Sequence, residues 1–182
     1  MLREISLHIL DIAENCVQAG AKNVNINIAE NQIDDRLQIV IIDDGKGMEK
    51  STMDHVMDPF ITSRTTRNVG LGLPFLKEAA EACNGLLEIQ SEINKGTTVR
   101  VEFQLSHIDR MPLGDIQSTF LNLLVGYPEV HWIFHYKYNH KEFHFDDDPI
   151  KEELVNIPLS APTVLAYLRG SIESGLEEIK AS

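Results

Sequence analysis

Asp11 and Asn15 stand four residues apart, with Gln18 three further on. On a helix the three share one face, each about one turn from the next. An amide oxygen is a hard, neutral ligand suited to Mg2+, which keeps most of its waters and takes few protein groups, and a nearby carboxylate can orient or deprotonate an attacking water. The same spacing also describes an ordinary solvated helix face. In Asp43-Asp44-Gly45-Lys46-Gly47-Met48 a hydrophobic run ends on an acid followed by two glycines at alternate positions. Such glycines admit close backbone approach, and an Asp at a buried strand end can accept a hydrogen bond from an exocyclic amine such as that of adenine. Asp-Gly is equally common in plain turns. The third stretch, Asp58 to Leu73, carries Phe60, Thr62, Ser63, Arg64, Arg67, Gly70, Leu71 and Gly72. Free N–H groups opening a helix, helped by two guanidinium groups, make an anion site. It lacks the Gly-Lys-Ser/Thr ending of a Walker loop, and no strand leads directly into its glycines as the dinucleotide fingerprint requires.

These residues need elements to hold them. Ser6 is placed to cap a helix whose apolar positions Leu7, Leu10, Ile12, Ala13 and Val17 run to a stop at Gly20. Asn23 to Ile28 alternates, and Leu37 to Ile42 is a β-branched run, so the two read as strands across a turn at 31–36. A helix follows from about Leu73 to Cys83, stopped by Asn84-Gly85. Leu86 to Ser91 and Thr97 to Leu105 read as strands across Asn94-Lys95-Gly96. The sum is an α+β layer, one sheet with helices on one face.

Composition narrows the partners. The 182 residues carry a net charge of −12, and no segment clusters Lys and Arg. Extended contact with nucleic acid or an anionic membrane is therefore disfavoured, since both need grouped cations to displace counterions. Cys16 and Cys83 cannot make a disulfide framework, and no apolar stretch is long enough to span a bilayer. A soluble, reducing, cytoplasmic setting is expected. With Asn15 so near the start of the chain, no upstream sensor segment is expected either.

The three motifs, in this order, resemble the N, G1 and F/G2 boxes of the GHKL superfamily, which comprises gyrase, Hsp90, histidine kinases and MutL. Leu10 to Ala21 resembles the N box of MutL, while Gly70-Leu71-Gly72-Leu73, Gly85 and Gly96-Thr97-Thr98-Val99 look like a histidine kinase catalytic domain. The resemblance covers roughly residues 5 to 105. It implies the Bergerat fold, a two-layer α/β sandwich, and ATP with Mg2+ as ligands. Asn15 would then ligate the metal, Asp43 would hold the adenine amine, Gly45, Gly47 and Met48 would shape the wall, and Thr97 would support the same edge. The phosphates would lie under Phe60, Thr62, Ser63, Arg64, Gly70, Leu71 and Gly72, with the segment from Phe60 to Gly70 acting as a short, mobile lid. Two positions depart from the pattern. ATP-hydrolysing members place Glu where Asp11 stands, so the role of Asp11 as base or water-orienting group is open, and histidine kinases often place Lys where Gln18 stands. The phosphoacceptor helix pair of the autokinases is absent from this sequence, and His8 is read as a packing residue. The implied activity is that of a protein kinase or nucleotide-gated switch acting on a separate protein, as in stand-alone domains resembling anti-sigma kinases. A simple ATPase and a non-catalytic binding module are the alternatives.

Residues 107–182 lie outside the resemblance and read as a small αββα module beside a 1–106 domain. Asp115 caps a helix ended by Gly126-Tyr127-Pro128. If a hairpin turns at Asn139-His140, Trp132, Phe134, Tyr136, Tyr138, Phe143 and Phe145 share one face, and His135 meets His144 on the other. Those two imidazoles with Asp146 offer a transition-metal site or a solvated polar face. Asp146-Asp147-Asp148 before Pro149 reads as a turn and helix cap. In the last helix Leu165, Leu168, Ile172, Leu176 and Ile179 form a stripe that must be covered by the hairpin, a second copy in a homodimer, or a protein partner.

Overall fold

Along each described strand apolar side chains recur at every second position, and that period of two selects one more deeply buried face. The computed structural model describes residues 3–56, 72–154 and 157–181. The expectations for Phe60, Thr62, Ser63, Arg64, Arg67, Gly70 and Leu71 lie outside the described residues. The elements are α1 (Ile5–Gln18), β1 (Asn23–Asn31), β2 (Arg36–Asp43), α2 (Lys50–Val56), α3 (Gly72–Ala82), β3 (Leu86–Glu92), β4 (Gly96–Gln104), α4 (Ile116–Gly126), β5 (His131–Tyr138), β6 (Lys141–Asp146), α5 (Asp148–Glu153) and α6 (Pro162–Lys180). One six-stranded sheet runs β3-β4-β2-β1-β5-β6.

Register stacks the apolar positions into one continuous surface. Ile26 sits opposite Ile41 on one side and Phe134 on the other, Ile39 opposite Val101, and Phe134 opposite Phe145. All of these side chains are buried. Neighbour contacts order the helices α3, α1, α4, α6 over this surface. The fold is thus the two-layer α+β sandwich. Its aromatic half packs by ring geometry, with Phe120 stacked on Phe134 at 4.7 Å and edge-on to Phe145 at 5.5 Å. The opposite face stays polar. There Glu102, 2% exposed, collects Arg36, Arg100 and Gln38. Burial works to raise its carboxyl, but those donors outweigh it and hold the group below its ordinary value.

Three local readings change. The first helix begins at Ile5, before Ser6, and Ser6 does not cap it; Ser6 is buried, and its amide donates to the Leu113 carbonyl at 2.8 Å while that of Ile5 donates to Pro112 at 3.0 Å. Backbone from beyond residue 106 therefore supplies the partners that a capping side chain was expected to give. Asp147 occupies the N-cap position of α5 without a side-chain cap bond, because its carboxylate is engaged elsewhere. On α6 the buried positions are Val164, Leu168, Ile172 and Ile179, with Leu165 only half-buried. That stripe lies on α4, β5 and β6.

Two other expectations for the C-terminal segment stand. Asp115 caps α4 by accepting from the Ser118 amide at 2.8 Å. The hairpin turns at Asn139 and His140, with Tyr136 opposite Phe143 and His135 opposite His144. The hairpin is not a separate sheet, however. β5 runs parallel to β1 from Asn23 opposite His131 to Glu30 opposite Tyr138, so the sheet crosses the point where the family resemblance ends.

Candidate functional site

β2 delivers Asp43 to the end of the sheet's apolar face, where it is 7% exposed. Its Oδ1 accepts the Gly45 N–H at 2.7 Å, which bends the chain immediately after the strand. Asp44 points the other way and clamps the start of β1: it accepts from the Lys22 and Asn23 amides at 2.7 and 2.9 Å and from Asn23 Nδ2 at 2.6 Å. Burial pushes the Asp44 carboxyl up, but these donors outweigh it and hold the group below its ordinary range. The loop is sewn down on both sides, since Lys46 N–H donates to the Ala19 carbonyl at 3.0 Å and Asn94 N–H to the Lys46 carbonyl at 2.8 Å.

Two glycines have no substitute here. Gly47 has φ +65°, and a Cβ on it would run into the Glu92 carbonyl oxygen; Gly96 has φ +97°, and a Cβ there would run into the Asp43 carbonyl. The first is the second glycine of the Asp43–Met48 loop, and the second, part of the Gly96-Thr97-Thr98-Val99 stretch, closes the β3–β4 turn. Thr97 lies opposite Asp43 across β2 and β4. Ser91 joins this edge without having been singled out: its hydroxyl accepts from Met48 N–H at 2.9 Å and donates to the Gly96 carbonyl at 3.0 Å. Its one proton is thereby used, so in the 2.9 Å contact between Ser91 and Thr97 the Thr97 hydroxyl donates. No sequence pattern marks Ser91; only the strand register brings it there.

Asp43 and Thr97 line a cavity of about 510 Å3, within the range of small-molecule sites. Ile12, Val56, Leu73, Ile89 and Val99 supply its apolar wall, and Asn15, Asp43 and Thr97 line it together with Lys46, Glu49, Thr52 and Asn94. Gly47 and Met48 line it too, Gln18 stands at its rim, and Gly45 lies beneath, against Ala19. Cys16 faces the cavity beside Asp43, and burial, then the charge of Asp43, then a hydrogen bond to it, push the thiol far up and keep it protonated. The Asn15 amide has no side-chain partner among the described residues. Asp11 does not line the cavity. It stands one turn away on α1, half-buried, with its carboxylate against Gly72, the first residue of α3. Burial pushes its carboxyl above the ordinary value.

The other candidates separate from this site. His8 is 3% exposed with Nδ1 unpartnered among the described residues, and burial lowers its affinity for a proton, so it is a packed, neutral imidazole. His135 and His144 face each other with ring centres 6.1 Å apart, and His135 Nε2 turns to Glu142 at 3.3 Å. Asp146 does not join them. Its carboxylate goes instead to His131 Nε2 at 2.9 Å, while His131 Nδ1 meets Asn23 Oδ1 at 3.0 Å, linking β5 to both of its neighbours.

A family model described as histidine kinase-, DNA gyrase B-, and HSP90-like ATPase matches residues 2–107. Sporulation kinase D of Bacillus subtilis is 30% identical over 98 residues, which are 54% of this chain and 19% of that protein. Sensor protein kinase GraS of Staphylococcus aureus is 31% identical over 97 residues, or 50% of this chain and 28% of its own length. The chain thus spans less than a third of the length of the curated relatives it matches. Among solved structures, the Aquifex aeolicus MutL ATPase domain complexed with ADP superposes with a TM-score of 0.53 at 14% identity, covering 85% of this chain and 68% of that one. That likeness is one of fold, and it extends past residue 107 into the segment that the family model leaves out. No helix among the described residues is long and apolar enough to cross a membrane.

Proposed function

The chain belongs to the histidine kinase-, DNA gyrase B- and HSP90-like ATPase family, and from that premise we propose that its cavity holds ATP with Mg2+ in a regulatory protein acting on a separate protein partner. The observation that carries this reading is Asp43: a 7% exposed carboxylate at a strand end, with Oδ1 fixed by Gly45 N–H, beside a cavity whose wall is largely apolar. An adenine presents one exocyclic amine to such an acceptor and its faces to apolar walls. Thr97 supports the same edge, and Gly45, Gly47 and Met48 shape the wall. The phosphates extend along α1 past Asn15 toward Gly72 and the start of α3, where free N–H groups favour anions.

The Asn15 amide, without a competing side chain among the described residues, is a fitting ligand for Mg2+. When bound, the ion neutralises phosphate charge. The protein's part is then to place the nucleotide and to offer the γ-phosphate, or the conformation it stabilises, to a protein partner. A second reading, hydrolysis, draws on Asp11: burial strengthens it as a proton acceptor, and it stands at the Gly72 end of the site.

Thermal unfolding with and without ATP and Mg2+ tests the reading. A rise for the wild type that vanishes in Asp43→Ala and weakens in Asn15→Ala is expected. No rise in the wild type would sink it. γ-Labelled ATP then separates the outcomes: label on a partner protein marks a kinase, free phosphate abolished by Asp11→Asn marks a hydrolase, and neither marks a nucleotide-gated binding module.

A further inference from the structure

On the sheet face away from the helices, β5 and β6 bring together two imidazoles that the cavity does not use. His135 stands opposite His144. Counted from the two-residue turn at Asn139 and His140, hydrogen-bonded and non-hydrogen-bonded pairs alternate, starting with a bonded pair at Tyr138 and Lys141. His135 and His144 are therefore a non-hydrogen-bonded pair, the kind whose side chains approach most closely. Their ring centres lie 6.1 Å apart, with the planes inclined at 58°. Glu142 joins them. It stands opposite Lys137 in the register, yet no ion pair links those two among the described residues, and its carboxylate reaches His135 Nε2 at 3.3 Å instead. Asp146, the other acid of β6 on this face, is held by His131. The three side chains are open to solvent: those of His135 and Glu142 are 33% and 65% exposed, and His144 is exposed.

We propose that His135, His144 and Glu142 form a binding site for a divalent transition metal, Zn2+ being the best match, which clips β6, the last strand of the sheet, to β5. Two imidazole nitrogens and a carboxylate oxygen are a donor set suited to Zn2+, and they leave a fourth position for water. With metal–nitrogen bonds of about 2.0–2.1 Å, two imidazole centres around a tetrahedral ion stand roughly 5 Å apart, so these rings need to close by about 1 Å. Exposed side chains on neighbouring strands make such a change by small rotations within their rotamer wells. The cluster of His131, Asp147 and Asp148 is a poorer host, because the Lys151 ammonium already stands against Asp147 and opposes a second cation. The site is on the face opposite the cavity and does not rest on the nucleotide reading.

Calorimetric titration of Zn2+ into the full chain tests it, with wild type, H135Q, H144Q, E142Q and D148N compared. The wild type should take up a single ion per chain with a micromolar Kd. H135Q and H144Q should each weaken it at least about tenfold and E142Q by about three- to tenfold, while D148N should bind as the wild type does. No heat in the wild type up to millimolar Zn2+ would overturn the proposal. So would a loss in D148N with none in H144Q, which would move the ion to His131. Ring signals of the wild type in nuclear magnetic resonance give a readout that needs no variant to fold: those of His135 and His144 should move on adding Zn2+ while those of His131 stay. The reverse pattern overturns the assignment.

Discussion

Two buried aspartates stand at strand ends, Asp43 at the end of β2 and Asp147 just past β6, and their environments begin alike. Each accepts one backbone N–H, from Gly45 at 2.7 Å and from Trp132 at 3.0 Å. They differ in what meets the rest of the carboxylate. The second oxygen of Asp147 forms an ion pair with the Lys151 ammonium at 2.7 Å, without hydrogen-bond geometry, whereas Asp43 borders a cavity of about 510 Å3. His131 and Asp148 come close enough to Asp147 for all three to be considered as metal ligands, yet Lys151 already supplies the counter-charge there. A buried acid is therefore not by itself a mark of recognition. The fold either provides its partner from within, which makes a strut, or leaves room for one to arrive, which makes a site.

The difference can be broken from either end. The largest effect is expected at the strut, where Lys151→Met leaves a 1% exposed carboxylate without its cation and should destabilise the chain by about 3–5 kcal/mol in denaturant unfolding. ATP affinity of the protein that remains folded should not move. Asp43→Ala should do the reverse, weakening ATP by about 10- to 100-fold through loss of a charged hydrogen bond of about 1.5–3 kcal/mol, while the melting temperature of the nucleotide-free chain changes little. If both variants lose stability and neither loses affinity, the contrast fails. Gly47→Ala should destabilise by about 2 kcal/mol, because it forces a positive φ on a side chain that also meets the Glu92 carbonyl.

The smallest effect is a slope. Burial raises the folded Asp11 carboxyl, so the folded chain holds that proton more tightly than the unfolded one. The resulting stabilisation is fully present below the unfolded carboxyl's range, near pH ~4, and is lost as pH rises through the folded value. Asp11→Asn should flatten unfolding free energy over that window, and an unchanged profile would assign the slope to other groups.

Asp43, Gly47 and Asn15 are legible in the chain's own residues, because a strand running into Asp-x-Gly-x-Gly and an Asp/Asn pair four apart are short-range patterns, whereas Thr97 enters only through the resemblance. What they have in common, a single cavity, is implied by resemblance rather than by spacing. Asp11 can be placed on the right face of α1 but not against Gly72, since that contact joins two helices far apart in the chain. Ser91 and Cys16 are invisible as site residues at that level. A Ser in a strand and a Cys in an apolar stripe have many ordinary uses, and only register and packing bring Ser91 to the Gly96 carbonyl and Cys16 to the cavity wall.

The sequence alone determined what local energetics decide: where the strands alternate, where glycine and asparagine reverse the chain, and that one face of the sheet is apolar. Each follows from backbone sterics and from the period of two within a few residues. Tertiary structure decided the rest. β5 pairs with β1, Pro112 and Leu113 satisfy the first amides of α1, and Lys151 rather than a ligand meets Asp147. An open strand edge offers the same N–H and C=O groups to any partner, and a free helix end accepts any nearby carbonyl. Those choices belong to the packing of the whole chain, which covers the most apolar surface while leaving few buried polar groups unmatched.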